Sequence, residues 1–490
     1  MKINNIYKYL FGALPLLFTA CTSLDEDPKS NQVSSQFYTN EADAQSAITA
    51  VYSRLKSGVD TQPMYNRGIQ LATDIVTDDY VAGPRAINAN VQALSKASFD
   101  ASNDRLQSIW QDHYAAINYA NIAIDKISAI AEGKISAEKR AQYVNEAKFL
   151  RALFYFNLVR WFKNIPLVLH ETTSLTEENL NVEQAPEESV YAQIIKDLKD
   201  AESLPVPSEA ESGRATAGSA KALLAKVYLT RQEWQKAADK SKEIIDLGWY
   251  SLFENYEDVF DSKTKNGKEH IFSIQWLGFS GQDFHFLAAV STPYSVPGLN
   301  GSYADVYNTG SDLLSSYDDN DQRKNVSIVT ELVSPTNGQT YKLDIPAFHK
   351  YYDPEAVGSQ GNSSRNFPVI RYSEVLLFYA EALNELNGPS KAAYAAIDEV
   401  RSRAHIKLLA ELAPKATKDE FREYVFEERR KEFVYEYNRW FDLSRRGGEY
   451  FVKKLHASGK TNAQAKHVIF PIPQRELDMN PNLVQNPEWK

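Results

Sequence analysis

Two stretches of this chain share a spacing that suits stacked helical hairpins and little else. The stretch from Ala220 to Leu247 has small Ala225 and aromatic Tyr228, then a short turn before Trp234, then Ala237 and Ala238. The stretch from Leu377 to Ala404 repeats the scheme with Ala380, Ala382 and Leu386, a break at Asn387-Gly388-Pro389, then Ala392, Ala395, Ile397 and Val400. Small residues let two antiparallel helices approach closely while larger ones fill the groove, which is the tetratricopeptide logic. Three longer amphipathic runs precede them. Glu41 to Lys56 carries Ala44, Ala47, Ile48, Val51 and Leu55 on one face, and Arg105 to Ile130 carries Ile109, Trp110, Tyr114 and Ile117. Glu138 to Phe162 places Tyr143, Ala147, Leu150, Phe154, Leu158 and Trp161 in a broad stripe, and Asn164-Ile165-Pro166 ends it. Proline cannot donate the next helical hydrogen bond. The expected fold is therefore mainly α.

Between the repeats, from about Tyr250 to Asn366, the composition changes. Gly, Ser, Asn, Asp and Pro dominate, and short strand-like runs such as Ile271 to Trp276 appear. Long irregular segments are either functional or disordered. The aromatics here, Trp276, Phe279, Phe284, Phe286, Tyr294, Tyr303 and Tyr307, argue against disorder.

The first residues read as a targeting segment. Lys2 and Lys8 flank a polar start, and Leu10 to Phe18 form an apolar run of signal-peptide length, too short to span a bilayer. Phe18-Thr19-Ala20 then leads into Cys21, the only cysteine of the chain. A lone cysteine makes no internal disulfide, so its position has another reason. The layout resembles a bacterial lipobox, although Phe18 departs from the usual leucine; the alternative is an ordinary signal peptide with an incidental cysteine. Lipid acylation of Cys21 would hold the protein firmly on a membrane. Leu24-Asp25-Glu26-Asp27 behind it looks like the surface-export signal of Bacteroidetes lipoproteins. The net charge of −10 repels phosphate backbones, so nucleic acid is not an expected partner.

In this order along the chain, five segments resemble the SusD/RagB family of outer-membrane nutrient-binding lipoproteins, nearly end to end. They are Glu146-Ala147-Lys148-Phe149-Leu150-Arg151-Ala152 with Tyr155; Gly213-Arg214-Ala215-Thr216; Arg371 to Leu377 with Ala380-Glu381-Ala382; Glu428 to Phe433 leading to Asn438 to Leu443; and Phe470-Pro471-Ile472-Pro473 with Asn480-Pro481 and Gln485-Asn486-Pro487. The resemblance implies four tetratricopeptide-like helix pairs packed with a loop-rich region carrying a few short strands. It implies a signal peptide over 1–20, a lipidated tether over 21–35, and one domain over 36–490. Within that domain the repeats fall at about 36–249 and 367–450, the ligand-binding insertion at about 250–366, and a tail at about 451–490. It also implies a partner, a SusC-like TonB-dependent outer-membrane barrel that the lipoprotein caps like a lid. The expected activity is non-catalytic capture of a glycan at the cell surface, with the chain anchored in the outer membrane through its lipid. Peptide capture, a surface glycoside hydrolase and a protein-interaction scaffold are the alternatives.

The Glu428 to Arg446 segment tempts a catalytic reading. As a helix, however, it would place Arg429, Glu432, Glu436, Arg439 and Asp442 within pairing distance along one side, with Phe426, Phe433, Tyr437 and Trp440 opposite, which reads as structural. No G-x-S-x-G elbow, H-E-x-x-H or P-loop is present, and the eight histidines are scattered without zinc-ligand spacing. Asp318-Asp319-Asn320-Asp321 has half the look of a calcium loop without its glycine and terminal glutamate, and reads as a turn before Arg323. No catalytic residue, metal or cofactor is expected. Capture of a sugar calls for aromatic platforms and polar clamps. Two segments supply them: Asp78, Asp79, Tyr80, Arg85 and Asn88, with Asn90, in a loop after the first helix; and Trp276, Phe284, Tyr294 and Tyr303 in the insertion, where Pro293 and Pro297 stiffen Tyr294. For each of these residues, packing or turn formation is the competing role.

Overall fold

Asn40 opens the first helix by accepting hydrogen bonds from the backbone N–H groups of Ala42 and Asp43. Similar side-chain caps recur at Ser136, Thr216 and Thr417, and the last two are reciprocal capping boxes with Ser219 and Glu420. The computed structural model describes residues 37–58, 64–174, 176–278, 287, 291–357 and 363–490. The expected signal peptide, the tether, Cys21 and Phe284 lie outside the described residues.

The longer helices are α1 (Glu41–Ser53), α2 (Asp104–Ala129), α3 (Ala137–Phe162), α4 (Glu187–Ala201), α5 (Ala217–Thr230), α6 (Trp234–Leu247), α7 (Tyr372–Asn387), α8 (Lys391–Arg403), α9 (Lys418–Glu432) and α10 (Gly448–Ala457). They pack as consecutive pairs, α1 with α2, α3 with α4, α5 with α6 and α7 with α8. Each pair also touches the next, and α9 closes on α7. The fold is mainly α, as the periodicity requires. Gly388 ends α7 at φ +79°, where the Asn-Gly-Pro break was expected. The inward face of α8 is one residue on from the expected register. Ala393 and Ala396 are buried, while Ala392 and Ala395 face solvent. Two alternative small-residue stripes run through that helix, and packing against α7 selects the one continuous with Ile397 and Val400.

The chain leaves this body twice, at residues 54–103 between α1 and α2 and at 248–371 between α6 and α7. The two excursions join. Strand β1 (Tyr80–Ala82) pairs antiparallel with β5 (Asp305–Tyr307), setting Tyr80 opposite Tyr307. Strands β2 (Ile165–Pro166) and β3 (Gln184–Ala185) pair beside α3. Strand β4 (His270–Ile274) pairs with β8 (Phe367–Arg371) at the root of the second excursion, and β6 (Ile328–Val333) forms a hairpin with β7 (Thr340–Phe348). Beneath these loops sit two satellite clusters, Val296, Leu299 and Leu332 in one, and Tyr303, Val306 and Ala347 in the other.

The repeated motifs pair with one another. Glu146 of α3 accepts Arg214 at 2.8 Å, and Arg151 grips Asp197 of α4 through two hydrogen bonds of 2.8 and 2.9 Å. Arg371 binds Glu269 at 2.7 Å, Glu436 at 2.8 Å and Glu432 at 2.5 Å. Asp321 is engaged by Arg323 at 2.8 Å, which in turn reaches Glu428 at 2.6 Å, so the acidic run is a turn closed by an internal ion pair. All these side chains except Arg214 are buried, and a buried charge persists only when paired and hydrogen-bonded.

The expected continuous helix over 428–446 does not form. It stops at Glu432, and a short helix, Arg439–Ser444, follows a turn. Within that turn Tyr435 and Tyr437 adopt left-handed φ values of +63° and +62°, which cost bulky residues energy. Packing compensates: Tyr435 stacks on Phe348 at 5.1 Å and Tyr437 on Phe367 at 4.3 Å. The charges therefore pair across elements rather than along one helix. Arg429 meets Asp442 at 2.9 Å across the turn, and Arg439 turns away to Asp78.

Candidate functional site

The residues singled out in the first excursion divide at Gly83. Before it, Asp78, Asp79 and Tyr80 are 2%, 1% and 1% exposed. Arg439 binds Asp78 in bidentate fashion at 2.9 and 2.5 Å, and Arg430 binds Asp79 at 3.0 and 2.6 Å. Burial pushes the Asp78 carboxyl up, but Arg439 and Arg430 more than offset that and hold it well below the usual carboxylate range. Tyr80 stacks on Phe348 at 4.1 Å. None of the three presents its side chain to solvent. They clamp the root of the loop to the C-terminal helices. Polar loop composition reads the same whether a carboxylate faces a ligand or a distant arginine, and that arginine lies some 350 positions away in the chain.

After Gly83 the loop turns outward. The Gly83 N–H donates to the Ala304 carbonyl at 2.7 Å, and a Cβ built at Gly83 would lie 2.2 Å from the Tyr303 carbonyl oxygen. Only glycine allows that approach. Pro84 follows, and Arg85 projects outward with its guanidinium 3.9 Å from the centre of the Tyr294 ring. Ile87 is 92% exposed. Asn88 caps the short helix Ala89–Ser95, accepting from the N–H groups of Asn90 and Val91 at 2.9 and 3.1 Å, so its side-chain oxygen already has a structural task.

The second excursion supplies the other wall. Tyr294 is 44% exposed, with its ring centre 6.5 Å from that of Tyr303 in an edge-to-face arrangement. Tyr303 is the buried support of the pair, and its hydroxyl donates to the Ile345 carbonyl. Burial first, then the Asp344 carboxylate and Tyr294, push that hydroxyl up to about 12. Val296 and Leu299, packed on Leu332 of β6, fix the loop beyond Tyr294. Trp276 stands apart at 1% exposure. Its backbone N–H donates to the Asn366 side-chain oxygen at 3.0 Å, its carbonyl accepts Lys265 at 2.8 Å, and the Lys56 ammonium lies 5.6 Å from its ring centre. It packs where a strand ends and offers no platform; Leu277, next in the chain, is the exposed residue at 64%.

Of the expected set, Arg85, Tyr294 and Tyr303 come together, with Asn88 positioning their loop. The sequence reading omitted Ile87 and Asp344. Neither has a local signal, since exposure of Ile87 depends on the Gly83–Asn88 turn and Asp344 approaches only through the β6–β7 hairpin. Among the described residues, no group of three His, Cys, Asp or Glu side chains is arranged to hold a metal ion. A separate cleft of about 420 Å³ lies between Trp110 and Tyr114 of α2, Val168, Leu180 and the C-terminal residues Met479 and Leu483.

Two family models match almost the whole chain between them. One, described as the SusD family, matches residues 251–489; the other, described as starch-binding associating with outer membrane, matches residues 23–229. The chain is a member of the SusD family. It is similar to SusD-like protein P2 of Formosa agariphila, with 29% identity over 98% of this chain and 99% of that one. Among solved structures it is similar to a SusD homolog from Bacteroides thetaiotaomicron, with a TM-score of 0.81 and 25% identity over 94% of this chain and 99% of that chain. It is also similar to a laminarin-binding SusD-like protein, with a TM-score of 0.76 and 26% identity over 92% of this chain and all of the other. The SusD-family fold thus accounts for the paired helices and both excursions. No described helix is long and apolar enough to cross a membrane.

Proposed function

We propose that this SusD-family chain is a cell-surface lipoprotein that binds a glycan at the Arg85–Tyr294 patch without cleaving it. The observation that carries the reading is Tyr294, an exposed ring with Arg85 stacked above it and buried Tyr303 set against it. A pyranose has an apolar C–H face that packs on such a surface, and hydroxyls that accept from guanidinium N–H groups. The ring is backed by buried, hydrogen-bonded Tyr303 and by the packed Val296, Leu299 and Leu332, which limits the freedom lost on binding. The description of the matched N-terminal family model and the laminarin-binding relative favour the same ligand class. In this reading Cys21 carries the lipid that anchors the chain in the outer membrane, facing the cell surface. A SusC-like TonB-dependent barrel is the partner, and the protein closes over it so that bound glycan is trapped near the channel entrance.

The test uses chain lacking residues 1–21, in affinity gels and calorimetry against a panel of polysaccharides. Binding to at least one polymer is expected, with no new reducing ends on prolonged incubation. Tyr294→Ala is expected to abolish retardation with an unchanged melting temperature. Trp276→Ala, by contrast, should lower stability, because that ring is core. Failure of every polymer to bind, or release of reducing ends, overturns the proposal.

A further inference from the structure

We infer that the glycan is acidic, and that Arg85 reads a carboxylate or sulfate ester on the sugar seated beside Tyr294. The inference rests on the glycan-binding reading above and narrows its ligand class.

The argument begins with how arginine is used elsewhere. Arg151, Arg371, Arg430 and Arg439 each grip carboxylates through the edge of the guanidinium fork, and all four are buried. That edge geometry is what matches a planar carboxylate or a sulfate. Arg85 is different. It is exposed, and no described carboxylate lies within 4.0 Å of it. Its guanidinium carbon lies over the Tyr294 ring, 3.9 Å from the ring centre. A cation–π contact holds the charge over the ring without a carboxylate acceptor, so it leaves guanidinium N–H donors for a ligand.

The group is also held in place. Gly83 is fixed to Ala304, the Ala86 N–H donates to the Gly83 carbonyl at 3.0 Å, Gln92 donates to the Ala86 carbonyl at 2.8 Å, and Asn88 caps the helix that follows. These bonds fix the backbone from which Arg85 projects, and the ring contact restrains its side chain, so less rotamer freedom is left to lose on binding. Ile87 and Tyr294 flank it with apolar surface for the sugar ring. Among the described residues, no carboxylate forms an ion pair with Arg85. Asp344 is the carboxylate that acts on the neighbouring Tyr303 hydroxyl, and it makes no ion pair with Arg85. The chain's net charge of −10 opposes a polyanion, but at physiological salt that field decays over about 8 Å, leaving the contact itself to decide.

The experiment compares matched polymers with the same mature chain: sodium polygalacturonate against its methyl ester, and dextran sulfate against dextran, with neutral laminarin alongside. The charged member of one pair is expected to bind at least tenfold tighter; the pectin pair reports a carboxylate and the dextran pair a sulfate. Arg85→Gln should erase that preference, and Arg85→Lys should keep part of it, with melting temperatures unchanged because the side chain is exposed. Asp344→Asn should increase affinity for the charged polymer. Equal binding of charged and neutral members, tighter binding of laminarin, or a preference that survives Arg85→Gln overturns the inference while leaving glycan capture standing. Absence of binding to every polymer is the separate result that removes glycan capture itself.

Discussion

At the root of the second excursion, against the helical body, Arg371 is buried and touches three carboxylates, Glu269, Glu432 and Glu436, whereas at the loop tips Arg85 is exposed and sits over the Tyr294 ring with no described carboxylate in reach. The same side chain serves opposite purposes. Inside, its fork locks elements that are far apart in sequence, and the charges cost so much desolvation that each must be matched. Outside, Arg85 rests over an aromatic ring and stays exposed to solvent. The first arrangement fixes the fold; the second is the one proposed to meet a ligand.

The contrast breaks most violently if Arg371 is removed. Arg371→Met leaves buried carboxylates uncompensated, and about 3–5 kcal/mol of stability is expected to go, read as a large fall in the denaturation midpoint or as failure to accumulate folded chain. Acid should attack the same lattice. Burial pushes Glu427 up, but Arg430, Arg439 and Lys454 outweigh it and bring the carboxyl down to about 2. Glu432 is likewise held well below the carboxylate range, burial being outweighed by Arg403, Arg371 and Arg323. Folded values lie below unfolded ones. The stability these groups contribute is therefore complete above about pH 4.5 and lost progressively as pH falls toward 2. Circular dichroism against pH checks this. Tyr294→Ala sits on the other side of the comparison: at least a tenfold loss of glycan affinity, about 1.4 kcal/mol, with an unchanged melting temperature. The smallest effect is at the junction. Asn88→Ala removes a helix cap worth about 1 kcal/mol and loosens the Arg85 loop, a modest loss of stability and of affinity together.

The two regions also differ in how far they can be read from the chain. The helix pairs were legible because Ala225, Tyr228, Ala237 and Ala238 express their spacing within a few turns. The α8 register was not, because Lys391-Ala392-Ala393-Tyr394-Ala395-Ala396 offers two equivalent small-residue stripes and only α7 chooses between them. The helix break after Glu432 carries no glycine or proline; Tyr435 and Tyr437 are driven into left-handed conformations by aromatic packing that no local window contains. In the candidate site, Arg85 and Tyr294 are exposed loop residues, as the polar loop composition and, for Tyr294, the flanking Pro293 and Pro297 suggest. Asp78, Asp79 and Trp276 were misplaced for the complementary reason, since their burial is set by Arg439, Arg430, Asn366 and Lys265, remote in sequence.

Amide hydrogen exchange of the mature chain, with and without the polysaccharide it retains, tests most directly where recognition occurs. Added protection is expected in residues 83–88 and 292–304, with the paired helices unchanged. Protection centred instead on the Trp110–Tyr114 cleft, or spread through the helices with the Arg85 and Tyr294 loops unaffected, would contradict the account.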